Sequence, residues 1–318
     1  MSKRLPFADQ MSLPLIAAPM FLVSFPDLVA EICKNGVAGT FPSLNARTAE
    51  DFESWLQRLN TELPEYAAAN PEIKVAPYGV NLIVHKSNMR LAEDQALVKQ
   101  YQSPFVITSV GHPGDVVADV HSYGGKVYHD VINMRHAQKA IEAGVDGLIL
   151  VCSGAGGHAG LMNPFTFIPQ IREIFDGTII LSGTLSNGGA LHALEALGAD
   201  MGYMGTRFIA TKEAQVHQGY KDMIVSSGSK DIVYTDKVSG IKGNFMVDSL
   251  TQAGIEIEGI SEAKPNFDPE TKHAQKDEKK AWKEVWSAGQ GVGEIKDLPT
   301  VAELVERLKK EYTAARAL

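Results

Sequence analysis

The stretch LILVCSGAGGHAG, residues 148–160, joins an apolar run to a glycine-rich loop that carries one histidine. The run Leu148–Cys152 is typical of a buried strand. Four glycines in the loop allow the backbone to come close to a flat or phosphorylated ligand. The histidine, His158, can move protons near neutral pH. The same residues also fit a tight turn with an exposed histidine, but together they mark this strand end as a candidate functional site.

Short apolar runs alternate with amphipathic ones on both sides of this stretch. The predicted strands are Leu13–Pro19, Val37–Phe41, Val75–Val84, Phe105–Val110, Lys126–Ile132, Gly147–Cys152, Thr178–Ser182 and Met201–Met204. The predicted helices are Pro26–Lys34, Ala49–Leu63, Met89–Tyr101, Asp115–His121, Arg135–Ala143, Phe167–Phe175 and Ala190–Leu197. This alternation predicts an α/β protein with a parallel sheet, and about eight units are what a (β/α)8 TIM barrel requires. A doubly wound open sheet is the alternative, although it usually has fewer strands.

The alternation stops after Thr211, which indicates a second unit. Residues 212–285 are more polar, and we expect them to form a smaller, mostly helical cap domain. The amphipathic run Val301–Ala315 predicts a final helix that closes the barrel. The barrel domain is therefore predicted to comprise residues 1–211 and 286–318.

Composition limits the classes of function. The chain has 318 residues, 44% of them apolar, and a formal net charge of −8, which argues against a general nucleic-acid binder. It has no apolar run of the length that spans a membrane. Its two cysteines, Cys33 and Cys152, lie far apart in apolar surroundings and suit a reducing compartment, so we expect a cytoplasmic protein. We expect a small-molecule substrate, a possible homodimer and no metal site, because the histidines lack ligand spacing.

Ligands of TIM barrels bind at the carboxyl ends of the strands. Ser182-Gly183-Thr184 and Met204-Gly205-Thr206 end the last two predicted strands, where backbone N–H groups in this fold often bind phosphate. Lys86, beside His85, and the pair His129-Asp130 are candidate substrate contacts. No Gly-x-Gly-x-x-Gly follows the first strand, so the sequence does not support a Rossmann-type dinucleotide site.

These segments, in this order and spacing, resemble the nitronate monooxygenase family, also called 2-nitropropane dioxygenases. The resemblance rests on AAPM (17–20), GVNL (79–82), GAGGHAG (154–160), GAD (198–200), MGTRF (204–208) and AGQ (288–290). It implies an FMN-binding barrel in which His158 is the catalytic base. The implied cofactor-binding residues are Pro19, Met20, Asn81, Gly156, Gly157, Ser182, Gly183, Thr184, Met204, Gly205, Thr206 and Gln290.

The reaction implied by the resemblance is the oxidative denitrification of alkyl nitronates by molecular oxygen. FMN-dependent enoyl-acyl-carrier-protein reductases share much of the pattern, so an NAD(P)H-dependent reductase of quinones or enoyl thioesters is an alternative. A non-catalytic flavin-binding protein is a third. The chain differs from many relatives at Val151, Gly154 and Thr184.

Overall fold

Eight parallel strands close into a barrel in a computed structural model that describes residues 5–238, 240–255 and 285–317. The barrel strands are β1 Leu15–Ala17, β2 Ala38–Pro42, β3 Tyr78–Ile83, β4 Phe105–Ser109, β5 Lys126–Val131, β6 Gly147–Val151, β8 Thr178–Ser182 and β9 Met201–Met204. Each strand pairs with its neighbour, and β9 pairs with β1 to close the ring. The predicted TIM barrel is confirmed.

Helices connect successive barrel strands and cover the outside of the barrel. The helices are α1 Pro26–Lys34, α2 Ala49–Ala69, α3 Leu91–Gln100, α4 Asp115–His121, α5 Met134–Glu142, α6 Pro164–Ile174, α7 Gly188–Leu197, α8 Thr206–Ile209, α9 Gln218–Ser226, α10 Val247–Gln252 and α11 Val301–Arg316. Helix α6 begins three residues earlier than predicted, because Pro164 suits the first helical turn and the Asn163 side chain accepts a hydrogen bond from the Phe165 amide. Helix α2 continues past its predicted end, through Pro64.

The barrel interior is a packed core, as the fold requires. Large side chains of alternating strand positions fill it, and among them Phe105, Ile107, Tyr128 and Ile149 are almost completely buried. The intervening residues of the same strands pack outward against the helices. A ligand therefore has room only at the ends of the strands.

A second, three-stranded antiparallel sheet lies beside the barrel. Its strands are β7 Gly157–His158, β10 Ile232–Thr235 and β11 Gly243–Met246, with β11 in the middle. Residues 212–285 were expected to be mostly helical, but their described part contains β10 and β11 as well as α9 and α10. These strands are short, so they leave little periodicity in the sequence. Residues 256–284 lie outside the described residues, and the domain boundaries stay a prediction.

The last helix, α11, packs against α7 and α1 and so covers the seam between the end of the barrel and its beginning. Thr300 and Glu303 form a capping box at its start. Gly188 at the start of α7 has no room for a β-carbon, which would collide with the backbone of Leu308 and Tyr312. The predicted closing helix is confirmed. Among the described residues, no helix is long and apolar enough to cross a membrane.

Candidate active site

A cavity of about 620 Å³ lies at the carboxyl ends of the barrel strands. It contains most of the residues that the sequence singled out. The predicted residues that line it are Pro19, Met20, Asn81, Gly156, Gly157, His158, Ser182, Gly183, Thr184, Gly205 and Thr206. Its volume is within the usual range for a small-molecule or cofactor site.

Four predicted site residues do not line the cavity. Lys86 is exposed, and Met204 is buried in β9. His129 is buried away from the cavity, with its Nδ1 2.7 Å from the Thr108 hydroxyl. Gln290 is exposed, and its backbone N–H donates to the Gly154 carbonyl of the glycine-rich loop. The structure therefore does not bring Lys86 or His129 to a ligand in this cavity.

The small sheet holds the loop that carries His158. Gly157 and His158 pair with Asn244 and Gly243 of β11. The Asn244 side chain also donates to the Ala155 carbonyl at 2.7 Å. From β10, the Tyr234 hydroxyl donates to the carbonyl of Ala159 at 2.7 Å. These bonds fix the backbone on both sides of His158, which lies half-buried at the cavity wall.

Gly156 and Gly157 of this loop must be glycine for different structural reasons. Gly157 has a φ of +69°, a conformation that favours glycine. Gly156 has an ordinary conformation, but a β-carbon there would lie 2.8 Å from the amide nitrogen of Gly289. That amide in turn donates to the Thr206 hydroxyl oxygen at 3.0 Å. The segment 288–290 thus ties the His158 loop to the turn after β9.

The turns after β8 and β9 carry the predicted phosphate contacts. Gly183 and Thr184 both have positive φ, +130° and +57°. Gly154, also at positive φ, faces this turn, and a β-carbon there would lie 2.7 Å from the Thr184 methyl carbon. Gly154 and Thr184, two positions where the chain differs from many relatives, are therefore packed against each other. A side chain at residue 154 would require a change at residue 184.

The loop after β1 is held by a residue that the sequence analysis missed. Asn45 is buried, and its side chain donates to the carbonyls of Met20 and Ser24 and accepts from the Leu22 amide. Leu22 has a φ of +57°, an unfavourable conformation that these bonds stabilise. Met20 is thereby fixed at the cavity wall. The only sequence signal was a polar residue among apolar neighbours.

A chain of three polar residues crosses the ends of β3, β4 and β5. The Asn81 amide donates to the Ser109 hydroxyl oxygen at 2.7 Å, and that hydroxyl donates to Asp130 Oδ2 at 2.5 Å. All three line the cavity. Burial raises the pKa of Asp130 to about 7, although the Ser109 hydrogen bond acts in the opposite direction. The sequence did not point to Ser109, and it indicated Asp130 only together with His129, as a pair of candidate substrate contacts.

His129 and Asp130 lie on opposite faces of β5, because successive side chains of a strand alternate. Burial, together with the smaller effects of the neighbouring His112 and His136, lowers the pKa of His129 to about 4. His129 is therefore neutral at physiological pH. Of the pair, only Asp130 lines the cavity.

An aromatic wall formed by Tyr220 and Trp286 lines part of the cavity. Tyr220 of α9 stacks on Trp286, with ring centroids 5.1 Å apart and an interplanar angle of 9°. The Tyr220 hydroxyl donates to the Ser287 carbonyl. Tyr220 and Trp286 both line the cavity. In the described part of the chain, its lining contains no lysine or arginine, and no group of three or more His, Cys, Asp or Glu residues is placed to hold a metal ion.

The sequence matches a known family over nearly its whole length. A profile described as nitronate monooxygenase matches residues 7–311. A nitronate monooxygenase from Paraburkholderia phytofirmans is 25% identical, covering 94% of this chain and 92% of its own. A dehydrogenase from Rhodococcus jostii is 26% identical, over 76% of this chain and 65% of the dehydrogenase's own length. It is named for a carboxyl-CoA derivative of a hydroxylated methyl-oxo-octahydroindene.

Solved structures share the fold. A nitroalkane oxidase from Streptomyces ansochromogenes superposes with a TM-score of 0.79 at 22% identity, covering 97% of this chain and 98% of its own. FabK from Thermotoga maritima superposes with a TM-score of 0.78 at 22% identity, covering 99% of this chain and 98% of its own. At this level of identity, the two superpositions establish the barrel architecture alone.

Proposed function

The chain belongs to the nitronate monooxygenase family, and from this premise we propose that it oxidises alkyl nitronates with FMN and molecular oxygen, giving a carbonyl compound and nitrite. The family makes it a flavin-dependent oxidoreductase of small molecules. The observation that carries the finer proposal is His158 at the wall of a cavity that the turns after β8 and β9 also line.

The residues present fit FMN. Gly183, Gly205 and Thr206 lie in turns that offer backbone N–H groups to a phosphate, and no lysine is needed for such a site. Met20, fixed by Asn45, would lie beside the flavin ring, and Asn81 would bind its edge. Bound FMN would supply the redox chemistry, accepting electrons from the substrate and passing them to oxygen.

His158 supplies the proton chemistry in this proposal. The α-carbon of a neutral nitroalkane is acidic because its conjugate base, the nitronate, is delocalised over the nitro group. A neutral imidazole of His158 would remove that proton onto a ring nitrogen. When the nitronate is supplied directly, His158 would only orient it. The hydrogen bonds from Asn244 and Tyr234 to the flanking carbonyls would keep the ring in position.

A second candidate function is reduction by NAD(P)H. The Rhodococcus jostii relative is named a dehydrogenase, and it covers three quarters of this chain. In such a reaction, His158 would donate a hydrogen bond to a substrate carbonyl rather than take a proton from carbon. The substrate would then be a quinone or an enoyl thioester.

Replacing His158 with asparagine tests the proposed base. His158→Asn is expected to lower kcat/KM for a neutral nitroalkane by about 100-fold or more, because general-base catalysis contributes about 10²–10⁴. Activity on the preformed nitronate is expected to fall much less, and the bound FMN, measured by absorbance, to stay. His121→Asn is the control, since His121 lies on α4 and bonds to Asp146 outside the cavity. Equal losses on both substrates would contradict the base assignment.

A further inference from the structure

Two hydroxyl-bearing residues occupy neighbouring positions at the carboxyl ends of β8 and β9. Ser182 and Tyr203 are register partners on these adjacent strands. Both line the cavity, and each is only 8% exposed. Ile180 and Met201, two residues earlier on the same strands, belong to the packed interior of the barrel. Because strand side chains alternate, Ser182 and Tyr203 also point inward, and they form part of the cavity floor.

The protein itself does not use either hydroxyl. Among the described residues, neither Tyr203 Oη nor Ser182 Oγ has a hydrogen-bond partner. The hydroxyl of Tyr128 is also without a partner, but it is completely buried inside the barrel. Those of Tyr203 and Ser182 are not among the fully buried unpartnered groups and therefore keep accessible surface. Since both residues are otherwise buried and line the cavity, a bound molecule can reach both hydroxyls.

The two hydroxyls can each donate and accept a hydrogen bond. Burial raises the pKa of Tyr203 well above its usual value, and the charge of Asp130 adds to this, so the phenol keeps its proton. A buried hydroxyl without a protein partner is costly unless a ligand bonds to it. The pair therefore suits a part of a ligand that itself both donates and accepts.

The hydroxyls lie close to the turns that carry the predicted phosphate contacts. Ser182 directly precedes Gly183, and Tyr203 is two residues before Gly205. We propose that Ser182 and Tyr203 bind the hydroxyl-bearing ribityl chain that joins the flavin ring of FMN to its phosphate. This assignment rests on the proposed function, which puts FMN in this cavity. Residues beside the phosphate turns reach the part of the cofactor beside its phosphate, and the ribityl hydroxyls both donate and accept.

The flavin ring has a better partner on another strand. The Asn81 amide nitrogen donates to the Ile107 carbonyl and to the Ser109 hydroxyl oxygen, at 3.2 and 2.7 Å. Its hydrogens are thereby used, and Oδ1 is left to accept from a ligand N–H, which the polar edge of the ring has and the ribityl chain lacks. Asn81 lies on β3, opposite β8 in the closed barrel. The chain between ring and phosphate is therefore the part of FMN assigned to Ser182 and Tyr203.

Two flavins that differ only in this chain test the contact. Tyr203→Phe and Ser182→Ala are each expected to raise the dissociation constant of FMN, measured by flavin fluorescence, about five-fold, the effect of one hydrogen bond. Neither change is expected to affect an FMN analogue with a 5-phosphopentyl chain, which has the ring and the phosphate but no ribityl hydroxyls. Tyr128→Phe is the matched control, because it removes an unpartnered hydroxyl that does not line the cavity.

Two results would overturn the proposal. An unchanged dissociation constant for FMN in either variant would show that the hydroxyl does not bind the cofactor. Equal losses for FMN and the analogue would assign the hydroxyls to the ring or the phosphate.

Urea unfolding of the flavin-free protein separates binding from a structural role. Because neither hydroxyl bonds to the protein, Tyr203→Phe and Ser182→Ala are expected to unfold at no lower urea concentration than the wild type. A lower midpoint in both variants would show that the protein uses these hydroxyls itself and would overturn the proposal. None of these measurements involves a nitronate, so this proposal and the proposed reaction fail separately.

Discussion

At the scale of single residues, the face of the strand on which a side chain lies determines whether it can contact a ligand in the cavity. His129 and Asp130 are neighbours, and nothing in the sequence distinguishes the one that lines the cavity. Strands of a parallel barrel are buried on both faces, so they lack the alternation that would identify the inner face. The structure puts Asp130 at the cavity and His129 beneath the helices. His158 was predictable because glycines mark the end of its strand, whereas Asn81 was expected only from the resemblance to the family.

The buried His129 predicts how stability depends on pH. Its pKa is about 4 in the folded protein and near 6.5 in the unfolded chain. Between these values, the unfolded state binds more protons, so the free energy of unfolding falls as the pH drops from 6.5 toward 4. The loss is at most about 3.5 kcal/mol, at about 1.4 kcal/mol per pKa unit. Urea unfolding at pH 7 and pH 5 is expected to show a smaller loss in His129→Asn than in the wild type, and equal losses would contradict this.

At the scale of elements, the site depends on strands that the sequence did not reveal. The glycine-rich loop was found from its composition, but β11, which pairs with it, lies about 85 residues further along the chain. Neither β10 nor β11 exceeds four residues. Their pairing is a tertiary contact, and no local pattern predicts it. The sequence therefore located His158 but not the structure that positions it.

Tyr234 of β10 tests the positioning by this sheet. Tyr234→Phe removes the hydrogen bond to the Ala159 carbonyl, and Tyr123→Phe removes a similar bond to the Ser103 carbonyl away from the site. Each change is expected to lower the free energy of unfolding by about 1 kcal/mol. Only Tyr234→Phe is expected to lower kcat, measured under steady state, because only its bond holds the His158 loop. An equal effect of both changes on kcat would show that the sheet does not position the loop.

At the scale of the whole molecule, the barrel was predictable and the second unit was not. Eight barrel strands alternate with seven helices over residues 15–204, and such a repeat is visible in one sequence. Residues 212–255 mix short helices and strands and follow no period. The cavity forms where the two meet, with Tyr220 and Trp286 facing the barrel mouth. The general location of the site was therefore predictable, but the aromatic wall was not.

Because α11 closes the barrel away from the cavity, we expect substitutions in it to change the free energy of unfolding but not the flavin site. Leu308 is on the buried face of α11, which packs against α7 and α1. Leu308→Ala is expected to lower the free energy of unfolding by about 2–5 kcal/mol through the cavity that it leaves. Glu306→Ala on the exposed face of the same helix is the matched control, with an expected change within about 0.5 kcal/mol. Both variants should keep the wild-type flavin spectrum per folded molecule, and loss of flavin from folded Leu308→Ala would contradict the separation.

We propose that a flavin in the barrel mouth takes electrons from a nitronate. Anaerobic mixing of the purified protein with propyl nitronate, followed by flavin absorbance, tests this step. We expect a yellow protein that releases FMN on denaturation, bleaches with the nitronate and regains its colour on addition of oxygen, while NADH bleaches it slowly or not at all. A colourless protein, or one that bleaches rapidly with NADH and not with the nitronate, would show that the proposed reaction is wrong.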